Sequence, residues 1–211
     1  MLRINPSASA NGAKRIRVYQ MNNKQTMYSG HRDACGNACV EKIKYGKTKA
    51  LNMRFDLAYL SPDGPEWGYD GGGSAQLALA MVSDALGATC VGDLLAVAFY
   101  QEFKRQLIAN LAQEQPWKIS QDRVRREIIE IMQNLNYARA RIDEAREKLL
   151  QRYIEALLIE VEERSDLSID CDEIQADFRE KITKEISDVL KHKLNLPPAV
   201  CARLTCAPNQ S

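Results

Sequence analysis

The sequence predicts an α+β protein: a small N-terminal antiparallel sheet packed on helices, followed by a long C-terminal helical hairpin. Three observations carry this. Apolar residues alternate with polar ones in short runs before residue 60, the period of a half-buried strand. A thirteen-residue stretch, "SPDGPEWGYDGGG", holds two prolines and five glycines and must be a loop. Beyond it, apolar residues recur every three or four positions, the period of a helix face.

The first strand signal is "RIRVYQM" (15–21), with "NNK" as turn material after it. "TMYSG" reads as a short partner strand, and Val40–Tyr45 as another, ending in a turn at Gly46. "ALNMRFDLAYL" is expected to pair back onto them. Ser74 to Leu86 is apolar on all faces except Gln76, Ser83 and Asp84, which marks a buried helix stopped by Gly87. Asp93 is expected to cap the next helix, striped by Leu95, Phe99, Phe103 and Leu107 and broken before Pro116. Ser120 opens the longest signal, in which Val124, Ile128, Ile131, Leu135, Ala138, Ile142, Ala145 and Leu149 step by fours and threes. Asn134 and Asn136 are the places where it would divide into two helices. After the break "RSDLSID", Asp172 starts a helix that Pro197 and Pro198 end.

These signals divide the chain into a disordered lead-in (1–14), a small α+β domain with a Gly-rich loop (15–119), a helical hairpin (120–196) and a tail (197–211). The apolar seam widens at Leu150, Ile154, Leu157 and Leu158, beyond what one hairpin partner covers. Either a second copy covers the surplus, giving a homodimer through the C-terminal helices, or the chain's own residues 74–113 do.

Net charge is only +1, but residues 1–60 carry +8 while residues 61–119 and the remainder carry −4 and −3. An anionic partner would therefore meet the first 60 residues, through Arg15, Arg17, Lys42, Lys44, Lys47 and Lys49. The plainer account is a solvated sheet whose lysines guard an edge. No run of 18 apolar residues spans a membrane, and "MLRINPSASANGAKR" lacks the apolar core of a secretory signal, so a cytoplasmic protein is expected. The six cysteines are then expected as free thiols. His31, Cys35 and Cys39 would share a face only if helical, and four-ligand zinc spacing is missing, so no metal or other cofactor is expected.

Gly71, Gly72, Gly73 and Ser74 lead into a helix, the form of an anion seat. No lysine follows them, no strand directly precedes them, and Asp70 adds a negative charge beside them, which counts against an NTPase. The structural account is a packed corner in which Trp67 and Tyr69 fold over the helix. Were both aromatics exposed, they would form a stacking platform for a base.

The stretch "SPDGPEWGYDGGGSAQLALA", followed by "YQEFK" and Trp117, resembles an uncharacterised small domain of bacterial, plasmid and phage proteins with a W-G-Y-G-G-x-G-x-A-Q-L-A-L-A signature. The resemblance covers about residues 15–135, and departs from the pattern at Pro65, Asp70, Gly72 and Ser74. It carries no activity to import; it implies a setting of mobile elements and their hosts. The expected function is a non-catalytic binding protein that holds a nucleic acid or a host protein, inhibition of a host defence system being one such role. The alternative is a nucleotide-binding or phosphate-ester enzyme using the Gly-rich loop with Asp56, Asp63, Glu66 and Asp70.

Overall fold

The structure, a computed structural model, describes residues 25–162 and 171–205. The strand expected at 15–21, the lead-in and the break at 164–170 lie outside these residues. Four strands form one antiparallel sheet: β1 (Met27–Arg32), β2 (Ala38–Lys44), β3 (Lys47–Ala50) and β4 (Trp117–Ser120), in the order β3-β2-β1-β4. Six helices follow the hairpins: α1 (Gly72–Leu86), α2 (Cys90–Gln106), α3 (Gln121–Ile131), α4 (Leu135–Glu162), α5 (Cys171–His192) and α6 (Pro198–Thr205). The architecture is α+β.

Pleating sends alternate side chains to opposite faces. Tyr28, Val40, Trp117 and Ile119 share one face of the sheet and are buried beneath the helices. The helix α1 lies at the centre, with Leu77, Leu79, Met81 and Val82 all fully buried. Such burial stabilises by about 1.5–3 kcal/mol for each large side chain, which is why a helix apolar on all sides must sit inside. Its one buried amide, Gln76, is fully satisfied: Nε2 donates to the Met53 and Ala58 carbonyls at 2.6 and 3.1 Å, and Oε1 accepts from the Leu60 N–H at 2.8 Å. Gln76 therefore pins the 52–60 loop to the core.

That loop replaces the strand expected in "ALNMRFDLAYL". Leu51 N–H still bonds the Val40 carbonyl, after which the chain turns through Arg54, whose φ is 56°. Arg54 is buried because two acids meet it: its Nη2 donates to Asp56 and Asp93, both at 2.8 Å, while Nη1 also bonds Ser83 and Asp93. Asp93 is thereby occupied, and the cap expected of it falls to Thr89, whose Oγ1 accepts from Gly92 N–H at 3.2 Å.

Two further expectations change. The segment after Pro116 is strand β4, paired with β1, so the domain boundary expected at 119 runs through the sheet. The tail begins with α6, whose Cys201 and Leu204 are buried against α4 and α5. Ser120 caps α3 as expected, and the long periodic signal does divide, between Ile131 and Leu135. The helix α4 packs more extensively on α2 than on α5, burying Ala138, Ile142, Ala145 and Leu150 within the chain. From α5, Ile182, Ile186 and Leu190 complete that layer, with Leu194 just past the helix end. No helix among the described residues is long and apolar enough to cross a membrane.

Candidate functional site

The glycine loop forms a packed corner. Trp67 is fully buried; its ring meets Trp117 edge-on at 5.6 Å, and its Nε1 donates to the Ala112 carbonyl at 3.2 Å. The Arg32 guanidinium lies 5.0 Å above the Trp67 ring and forks onto Glu66 at 2.9 and 3.0 Å. A planar cation that is both stacked and bidentate holds the corner in one geometry. Gly72 and Gly73 serve close approach, since a Cβ on the first would meet the Leu60 carbonyl and on the second the Glu66 side chain. Gly71 is the N-cap and offers no side chain to the helix, while Ser74 is wholly buried. With Trp67 enclosed, the two-aromatic stacking platform is not formed; Tyr69 alone remains exposed.

The acids near the loop are distributed among separate cations. Asp56 pairs with Arg54, Glu66 with Arg32, and Asp70 with the buried Lys104. Those contacts hold the Asp56 and Asp70 carboxyls below the usual carboxylate range, chiefly through hydrogen bonds from Arg54 and Lys104. Among the described residues, no group of three or more His, Cys, Asp or Glu could hold a metal ion. His31 and Cys39 face each other across β1 and β2, with Cys35 in the turn between, so the three share no helix face. A hollow of about 460 Å³ beside α5 is lined by Cys90 and Phe178, with Glu173, Asp177 and Glu185 set around Lys181.

The lysines behave differently. Register places Lys42 opposite Lys49 and Lys44 opposite Lys47, so all four stand on one face of the β2–β3 hairpin. This is the face that carries Tyr28 inward, continued to β3, the edge strand among the described residues. Lys42 is spoken for: its Nζ meets Asp84 at 2.6 Å, and Asp84 also accepts from the Tyr28 hydroxyl at 2.7 Å. Lys44, Lys47 and Lys49 are exposed and have no ion-pair partner among the described residues. With Tyr45 the four lysines line a hollow of about 370 Å³. Like charges placed directly opposite destabilise a hairpin, so this arrangement works against the fold that carries it.

The turn is two residues, Tyr45 and Gly46, at φ 51° and 73°. Both being positive fits the tight hairpin turn that matches strand twist, for which Asn-Gly is the favoured pair. Tyr45 is 66% exposed, and the Lys44 ammonium sits 5.4 Å from its ring centroid. Sequence reasoning named the lysines but not Tyr45. The signal was present in "KIKYGKTK", where lysines are spaced as mirror images about a two-residue turn. Arg15 and Arg17 lie outside the described residues.

Residues 28–130 match a family of unknown function, DUF6166. The match spans β1 through nearly all of α3 and so contains both the glycine corner and the lysine hairpin, whereas α4, α5 and α6 lie beyond it. No curated protein and no solved structure matches the chain.

Proposed function

We propose that the protein is a non-catalytic binding protein whose β2–β3 hairpin holds the phosphate backbone of a nucleic acid. The observation that carries this reading is the register: Lys44 faces Lys47 and Lys42 faces Lys49 on one side of a hairpin whose β3 is the edge strand among the described residues. Edge protection accounts for lysines on β3, but one lysine suffices to discourage pairing, and charges of alternating sign would do so without mutual repulsion. A polyanion turns that repulsion into attraction, and the surrounding lysines would each contact a phosphate. Three of the four acids around the glycine corner, Asp56, Glu66 and Asp70, each meet a different cation, which supports binding over catalysis.

The test is fluorescence anisotropy with labelled DNA and RNA across a salt series. Three lysines without an ion-pair partner among the described residues lead to a log–log salt slope of about −2 on a single strand and about −3 on a duplex. Reversing Lys47 and Lys49 to Glu should abolish binding at moderate salt. Absence of affinity for DNA and RNA at low salt would defeat the reading and direct attention to a protein partner.

A further inference from the structure

We infer that the nucleic acid held by the hairpin is single-stranded, with an unpaired base stacked on Tyr45. This rests on the phosphate-binding reading above and goes further by naming the form of the ligand. The first support is a residue in the wrong place for stability. At positive φ in a two-residue turn, Asn, Asp or Gly is favoured, and a bulky aromatic is a conformational outlier. Tyr45 nonetheless occupies that position at φ 51°, and no burial repays it, because the ring is 66% exposed. Backbone strain of this kind gathers where a side chain must be presented rather than packed.

The second support is what surrounds the ring. Lys44 and Lys47 flank the turn on either side, and Lys49 stands one pleat further along the same face. An aromatic ring between cations matches the two needs of a single strand: a π-face for a base and positive charge for the phosphates on either side of it. The Lys44 ammonium over the ring strengthens the first and supplies the second.

The third support is shape. The four lysines and Tyr45 line a hollow of about 370 Å³ on the face of the hairpin from which Lys42 reaches Asp84 of α1. A hollow near the lower end of small-ligand pockets accepts one strand's nucleotide. A duplex presents a broad convex cylinder whose bases are already stacked, leaving no π-face for Tyr45.

The experiment uses full-length protein with fluorescein-labelled oligothymidylate and oligouridylate of about 16 nucleotides, the upper end of a single-fold site, and a duplex of equal length. Tyr45→Asn removes the ring while supplying the residue the turn prefers, so the variant should fold at least as well, with an equal or raised melting temperature. Its single-strand affinity should fall about 5- to 150-fold, the worth of one base–aromatic stack, with the salt slope unchanged. Tyr45→Phe should bind as the wild type does. The oligouridylate arm separates RNA from DNA preference. Wild-type affinity in Tyr45→Asn, or a duplex binding as tightly as a single strand, would overturn the inference while leaving phosphate binding intact. Wild-type protein that binds none of the three probes would overturn both.

Discussion

Lys44 and Lys47 stand directly opposite each other across the Tyr45–Gly46 turn, on the same face of the sheet. Two ammonium groups held in register at the tip of an edge hairpin repel one another, and neither has a counter-ion among the described residues. Replacing one by an acid turns repulsion into attraction. Lys47→Glu should therefore stabilise the hairpin by about 0.2–1 kcal/mol while weakening nucleic-acid binding and flattening its salt dependence. Urea denaturation alongside anisotropy checks both signs; a variant that loses stability and keeps affinity contradicts the assignment.

Gly30 lies in the middle of β1, directly opposite Trp117, and the Trp117 indole occupies the place where a Cβ would stand. That indole is itself fixed by its edge contact with Trp67. Gly30→Ala should thus cost about 1–3 kcal/mol, the usual range for overpacking, instead of the small gain alanine brings at a compatible site. The midpoint of chemical denaturation reads it directly.

Gln76 anchors the 52–60 loop to α1 through two carbonyls and one N–H, alongside the Arg54–Ser83 contact. Gln76→Leu keeps the volume and strands those three backbone groups. We expect a loss of about 2–5 kcal/mol, together with faster amide exchange at Leu60. Exchange unchanged at Leu60 would show that the loop is held by something other than this amide.

Stability should decline at both ends of the pH scale for separate reasons. Burial first, and the Asp84 charge second, push the Tyr28 hydroxyl well above the usual phenol range. A raised value contributes stability that is complete below the unfolded value of about 10 and is lost as pH rises through the folded one. Asp56 is held below its ordinary value by Arg54, so its contribution is present above about pH 4 and is lost as pH falls through the folded value. The melting-temperature difference between the wild type and Tyr28→Phe, set at neutral pH by the lost hydrogen bond to Asp84, should stay constant there and shift in favour of the variant above about pH 10, where only the wild type has a phenol to ionise at this position.

Much of the fold was legible because it is written in local chemistry. A run of apolar residues from Ser74 ended by Gly87 can only be a buried helix, Ser120 can satisfy the N–H groups that open α3, and Gly46 between two lysine-rich runs marks a turn. The candidate lysines were legible for the same reason. Their pairing was not, since register depends on turn length: one residue more at the tip would have sent Lys47 and Lys49 to the other face. Strand β4 was hidden because four residues carry too little period to identify, and it exists only because β1 offers it an edge.

Local sequence alone, then, determined the buried central helix, its glycine stop and the basic character of residues before position 60, since propensity, capping and charge need no distant partner. The tertiary structure decided that Trp67 is enclosed beside Trp117, that Asp93 serves Arg54 in place of a helix cap, and that Asp84 neutralises Lys42 while Lys44, Lys47 and Lys49 stay open. Each of these depends on which segments far apart in the chain come to lie within a few ångströms, and it is that proximity that sets burial and charge pairing.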